Sequence, residues 1–325
     1  MIEDAQFGAS RPRAERIDTA VPNPARVADF LNGGRNNFEA DRRAAQTMFT
    51  IAPAIEAIVP FVLDFHQRAV RFLAFEAGVR QFIDVGTGLA GAETGRDLVQ
   101  SVDPACRVVH VDNDPMVLTH LRAFSRSASQ GAYAALDAKL TDPAALLAGA
   151  AETLDFRAPA AVLLPSSLPF IAGAERAAGI VSALMAPLAA GSYLALCHVA
   201  SDLDPALEAG VDYWNRISAP HFTLRSRAEV AALTIGLDVV EPGLVPVNEW
   251  RPAPGRAVRD RPVPVYAVVA RKTGRRRLKP RSVRNQRHLN SRAFDFRTVP
   301  GDSIPPFEPV TRTRRPGRAG ARSSS

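Results

Sequence analysis

Phe82-Ile83-Asp84-Val85-Gly86-Thr87-Gly88 is the stretch on which the fold turns. A short apolar run carrying one carboxylate passes directly into two glycines, the pattern of a strand that turns sharply into a helix. Glycine there lets the backbone turn and approach a ligand without a Cβ in the way, and the start of the following helix offers free N–H groups. Working outward, residues 81–85, 107–112, 132–136, 160–164 and 193–199 read as strands, with helical spacing over 93–102, 115–127, 143–151 and 174–188 between them. Alternation at this spacing implies right-handed crossovers and an α/β protein whose parallel sheet carries helices on both faces. Helices around 205–217 and 227–234 precede two last strands, 237–241 and 263–270, with the Pro/Arg-rich stretch 242–264 as a long loop.

Residues 17–78 are helical in spacing throughout. Ala25, Val27, Ala28, Phe30 and Leu31 suit one short helix ended by Asn32-Gly33-Gly34, and 38–49 and 55–75 read as two more. Pro60 predicts a kink or break in the last of these. Residues 1–16 alternate acids with arginines and read as a flexible lead-in, not a secretory leader. Residues 272–325 are Arg-rich with little apolar material, which predicts a disordered tail. The expected organisation is therefore a lead-in (1–16), a helical cover (17–78), an α/β domain (79–271) and a tail (272–325).

The chain has 325 residues, of which 46% are hydrophobic and 22% charged, ordinary values for a soluble globular protein. Two cysteines cannot build a disulfide framework or a four-thiolate metal site, so a reducing, cytoplasmic setting is the default expectation. The longest apolar run, 188–200, is interrupted by Gly191, Ser192, Cys197 and His198 and falls short of a membrane span. The net charge of +7 is uneven: residues 271–325 hold 16 basic and 3 acidic groups, residues 1–270 hold 24 and 30. The basic tail could touch nucleic acid through phosphates, but it lacks interleaved aromatics. No histidine or cysteine spacing suggests a metal site.

A second element is Val109-His110-Val111-Asp112-Asn113-Asp114-Pro115, at the end of the next strand. Asp112 lies where the second strand of a nucleotide-binding sheet ends beside the first, so its carboxylate could accept the hydroxyl protons of a ribose. Bonds to a charged group contribute roughly 1.5–3 kcal/mol each. The plainer alternative is that Asp112 or Asp114 caps the next helix, and Asp114 is the better cap. Gly86-Thr87-Gly88-Leu89-Ala90-Gly91 also matches the G-x-G-x-x-G of dinucleotide sites, which keeps an NAD(P)-dependent oxidoreductase in play. Asp84 weighs against it: a carboxylate about 4–6 Å from a pyrophosphate would repel it by roughly 3–4 kcal/mol at an effective dielectric near 20. S-adenosylmethionine (SAM) brings an ammonium and a sulfonium instead, and the sign reverses.

These segments resemble the SAM-dependent methyltransferase family of high-GC bacteria that was formerly a domain of unknown function. The matching blocks are Ile17-Asp18-Thr19, Pro24-Ala25-Arg26, Gly33 to Phe38 with Ala40-Asp41-Arg42, residues 82–89 and 111–115, Gly191 to Leu194 with His198, and Glu241 to Val245 with Trp250-Arg251-Pro252. The resemblance runs from Ile17 to Lys272. It implies a class I methyltransferase (Rossmann-like) fold: a mostly parallel seven-stranded sheet with a reversed strand near the end, helices on both faces and an N-terminal helical cover. It further implies SAM as cofactor, with Asp84, Gly86, Thr87 and Gly88 at the methionine end and Asp112 and Asn113 at the ribose. Gly34, Arg35 and Asn37 would belong to a lid over the SAM carboxylate, or else form an ordinary helix–loop–helix joint. Asp137 is near the place of an adenine-contacting acid, although Lys139 could occupy that place.

The chain departs from the family pattern at Ala90 to Asp97 and at Pro165 to Phe170, on the cofactor and substrate rim. His198, ending the fifth strand, is a candidate base or an ordinary hydrogen-bonded histidine. His110 reads as structural and His66 as a helix-face residue. Tyr213, Trp214, His221 and Phe222 either line an acceptor pocket or pack a helix on the sheet, with packing favoured. The expected function is methyl transfer to a small-molecule acceptor. The alternatives are a SAM-binding module without turnover, the oxidoreductase, and a nucleic-acid methyltransferase anchored by the tail.

Overall fold

Strand residues alternate between two buried faces, so each apolar run serves two cores. In the computed structural model, which describes residues 17–89, 99–100, 104–125, 132–252 and 262–274, β1 (Gln81–Val85), β2 (Arg107–Asp112), β3 (Tyr133–Asp137), β4 (Ala161–Leu164) and β5 (Tyr193–Val199) are parallel. β8 (Val265–Arg271) runs antiparallel to β5, and β6 (Asp238–Val239) and β7 (Val245–Pro246) both pair with β8. The order is β3-β2-β1-β4-β5-β8-β6. The sheet has eight strands where seven were expected, because Val245–Pro246, read from sequence as loop, adds a two-residue edge. A Pro-containing pair of residues is too short for any alternation to register.

Phe82, Val108, Leu163, Ala195 and Cys197 face one core; Ile83, Val109, Val162, Leu164 and Leu196 face the other. The first core is closed by α1 (Pro24–Leu31), α2 (Glu39–Ile51) and α3 (Ile55–Arg71), and by α7 (Ala206–Ile217) through Leu207 and Trp214. The second is closed by α5 (Pro143–Ala151) and α6 (Ala174–Met185), with Val230 of α8 (Arg227–Ala232). α4 (Pro115–Ser125) follows β2. Apart from the helix predicted over 93–102, the expected helices and strands are present within a few residues of their predicted ends.

The N-terminal helices are fixed by polar bonds as well as by packing. Asn23 caps α1 through Oδ1, and its Nδ2 donates to Asp114 Oδ2 at 2.9 Å, joining α1 to the end of β2. Arg26 Nε meets Asp41 Oδ2 at 2.9 Å with both side chains buried, and the same carboxylate accepts the backbone N–H groups of Asn23 and Phe38. A buried ion pair with its remaining acceptors filled fixes geometry more than it adds stability.

Pro60 does not break α3, which is continuous from Ile55 to Arg71. Its ring is exposed, so the lost backbone bond falls on the solvent side, while the apolar stripe opposite holds the helix on the sheet. The expected lead-in, most of the helix predicted over 93–102, residues 126–127 of the next and the tail beyond 274 lie outside the described residues. Among the described residues no single helix is long and apolar enough to cross a membrane.

Candidate active site

Strands β1 and β4 are neighbours whose connections leave in opposite directions, β1 towards β2 and β3, β4 towards β5. At such a switch point the carboxyl ends of parallel strands open a crevice. A cavity of about 670 Å³ lies there, within the range of small-molecule sites. Gly86, Thr87, Gly88, Asp112, Asn113 and Lys139 line one end; α3, α7 and the segment after β4 line the rest with Ile58, Val62, Leu207, Trp214, Phe170 and Phe222.

Gly86 and Gly88 hold positive φ, +72° and +63°. A Cβ on Gly86 would meet Ser167 Cβ at 2.7 Å, whereas one on Gly88 would meet open space. Gly86→Ala is therefore expected to cost about 2 kcal/mol or more, against about 1 kcal/mol for Gly88→Ala, which carries backbone strain alone. Urea unfolding of the two variants checks the order; equal losses would mean that Ser167 moves aside freely.

Asp112 is already engaged. Its Oδ2 accepts Gly88 N–H at 3.1 Å, and Oδ1 accepts the N–H groups of Asn113 at 2.8 Å and Asp114 at 3.0 Å. Burial pushes its carboxyl up, against these bonds. A carboxylate offers about four acceptor positions, so room remains on Oδ2 for one hydroxyl rather than the two read from sequence. Asp114 is the cap of α4, accepting from Met116 and Val117 N–H, as its position suggested.

Asp84 does not line the cavity. It is 1% exposed and lies behind Thr87. Its Oδ2 is 3.2 Å from His110 Nδ1 and accepts the Thr87 hydroxyl at 3.2 Å; its Oδ1 faces His66 Nε2 at 3.6 Å. Burial alone would raise the carboxyl, but His66, His110 and the Thr87 hydroxyl together hold it below the usual carboxylate range. Asp84, expected against the ligand, lies against two histidines instead.

The other predicted site residues divide sharply. Gly34, Arg35 and Asn37 do not line the cavity. Asp29 organises their loop: its Oδ2 accepts Asn36 N–H at 2.7 Å and Asn37 Nδ2 at 2.8 Å, and a Cβ on Gly34 would strike its carboxylate. Asn37 Oδ1 is taken by Arg42. These bonds make the segment a helix–loop–helix joint that stands clear of the cavity in this structure. Asp137, the last residue of β3, is exposed and off the cavity; Ala138, Lys139 and Leu140 line it instead.

His198 lines the cavity but has no free nitrogen. Nδ1 donates to Val199 O at 2.9 Å, and Nε2 accepts from Arg225 Nη1. It holds Arg225, and is not a base in this arrangement. Burial, with Arg225 adding to it, pushes His198 down from 6.5 to about 4, against the pull of the Val199 carbonyl. The unfolded histidine takes its proton near 6.5 and the folded one only near 4. Between those values the unfolded state binds more protons, so stability falls as pH drops through this window and levels off below it. The loss attributable to His198 is about 3 kcal/mol. Urea midpoints from pH 7 to 4 for wild type and His198→Gln isolate it; parallel curves would show that His198 is protonated in the fold.

Trp214 and Phe222, expected to pack, do so and also line the cavity: Trp214 Nε1 donates to Pro220 O at 3.2 Å, and Phe222 meets Phe170 edge to face at 5.1 Å. His66, read from sequence as a helix-face residue, has a larger part in the site. It is 4% exposed, lines the cavity, and sits in the buried stripe Val62, Phe65, Ala69 and Val70. A histidine inside such a stripe calls for a partner, and that was its signal.

The strand order, the glycine turn, the acid ending β2 and the crevice between β1 and β4 define a class I methyltransferase fold. Residues 10–273 match the model of the S-adenosyl methyltransferase family, and the chain belongs to that family. A DUF574 family protein from Streptomyces avermitilis MA-4680 is 36% identical, with a TM-score of 0.73 over 79% of this chain and 100% of that one. A candidate methyltransferase from Thermobifida fusca YX is 32% identical, with a TM-score of 0.74 over 79% and 97%. None of the curated proteins compared matches the chain.

The family takes SAM as its methyl donor, and the residues here fit it. The Gly86–Gly88 turn leaves its backbone clear of Cβ atoms, Asp112 Oδ2 has an acceptor position to spare, and Ser167 Oγ beside Gly86 is buried without a partner.

Proposed function

We propose that this chain transfers a methyl group from SAM to a small, largely apolar acceptor. The observation that carries the reading is the continuity of one cavity, polar at the Gly86–Gly88 and Asp112 end and apolar along α3 and α7. Bound SAM supplies an electrophilic methyl group. Gly86, Thr87 and Gly88 hold its amino-acid portion, and Asp112 and Asn113 its ribose. Lys139 cannot accept a proton from the adenine amino group, so backbone carbonyls near Ala138 and Leu140 are left to do so. Ile58, Val62, Trp214 and Phe222 exclude water and hold the acceptor in line, which is the main requirement of such a displacement. Residues 17–78 act as a cover that supplies one wall of the acceptor space.

The test is formation of S-adenosylhomocysteine (SAH) by the full chain over a panel of small aromatic and aliphatic acceptors. Turnover with an apolar acceptor, lost in Trp214→Ala while SAH still binds, is expected. SAH binding with no turnover across the panel would leave a binding module in its place.

A further inference from the structure

Two orphaned atoms face one another beneath the cavity: His66 Nε2 and Asp84 Oδ1 are both buried without a hydrogen-bond partner and lie 3.6 Å apart. An inward shift of α3 by well under 1 Å closes that gap, and catalytic hydrogen bonds are often long before ligand binds. We propose that His66, oriented by Asp84, is the general base of this site and that the acceptor it serves is a phenol. The proposal rests on the methyltransferase reading of the same cavity.

The orientation follows from the partners. Asp84 Oδ2 is held by His110 Nδ1 and the Thr87 hydroxyl, so the carboxylate is fixed with Oδ1 turned to α3. The anion favours a proton on His66 Nε2, which leaves Nδ1 as the basic nitrogen for a ligand in the cavity that His66 lines. Ionisable groups near it include His110, on the far side of Asp84, and the Cys197 thiol of β5, which burial pushes well up against the opposing pull of Arg68.

Acceptor chemistry follows from base strength. An imidazole can take a proton from a phenol as the oxygen attacks, whereas an alkyl alcohol, far less acidic, is out of its reach. The apolar and aromatic wall of Trp214, Phe170 and Phe222 suits a ring. In the step itself the phenol O–H proton passes to His66 Nδ1. The oxygen pair forms the bond to the methyl carbon, the C–S pair stays on sulfur, and the products are the methyl ether, SAH and the imidazolium facing Asp84.

The experiment uses the full chain, SAH and 4-nitrophenol, whose phenolate is coloured. SAH uptake is measured first by calorimetry, and its absence overturns both this proposal and the methyltransferase reading. With SAH bound, the probe is added below its own ionisation pH and its absorbance recorded. Bound probe is expected to be ionised roughly tenfold or more beyond free probe. At saturating SAH this excess should vanish in His66→Gln and shrink in Asp84→Asn. The wild-type measurement decides even if neither variant folds. Bound probe ionising like free probe, or an excess surviving in His66→Gln, overturns His66 as the base while leaving the methyltransferase reading intact. SAH uptake with no probe uptake overturns the phenol assignment and the proposal with it.

Discussion

Arg225→Ala is expected to destabilise the protein by about 4 kcal/mol or more. The guanidinium is 1% exposed, donates through Nη1 to Leu168 O at 3.2 Å and to His198 Nε2, and through Nη2 to Ile171 O at 2.6 Å and Gly173 O at 3.2 Å. It thus ties the end of β5 to the segment that carries Phe170 along the cavity. Truncation leaves Ile171 O and His198 Nε2 without a donor, each costing about 1–3 kcal/mol where water cannot enter, and takes one of two donors from Leu168 O and from Gly173 O, which keep the N–H groups of Ile171 and Ala177. Arg225→Lys recovers only part, since one ammonium cannot reproduce the fork. Urea unfolding measures the loss. A change below about 1 kcal/mol would mean that water reaches these carbonyls and that the segment is not held by Arg225.

Asp112→Ala is expected to weaken SAH binding by roughly 10- to 150-fold, the range for losing a hydrogen bond to a charged group. Because Asp112 also accepts the N–H groups of Gly88, Asn113 and Asp114, part of the effect would come from a loosened glycine turn. Asp112→Asn separates the contributions. Its carbonyl oxygen can keep the two bonds at Oδ1, while its NH2 cannot accept from Gly88 or from a ribose hydroxyl. Near-alanine losses in Asp112→Asn therefore locate the effect at Oδ2. Unchanged affinity in both would reduce Asp112 to a backbone staple.

The fold was legible because the strands are buried on both faces: runs such as Phe82–Val85 and Val108–Val111 leave little choice of element, and helices 3.6 in period stand between them. The edge at Val245–Pro246 was not, since two residues carry no pattern. At the site, the glycine turn and Asp112 were legible because their spacing is a backbone property. What side chains face was not. Asp29 and the Asn36–Asn37 loop it organises are seven and eight residues apart, and nothing in the spacing says that Asn37 is already used up. Asp84 and His66 come from a strand and a cover helix, and only their packing turns an expected ligand contact into a histidine–aspartate pair. His198 ends a strand where ligands gather, yet Arg225, 27 residues later, has taken its free nitrogen.

The central claim is that the crevice between β1 and β4 holds an adenosyl ligand of the SAM type. Calorimetric titration of the full chain with SAH, and in parallel with NAD⁺, tests it most directly. Saturable uptake of SAH at one site per chain, with NAD⁺ bound far more weakly, is the result this account predicts. Tighter binding of NAD⁺ than of SAH, or no heat with SAH at all, would contradict it.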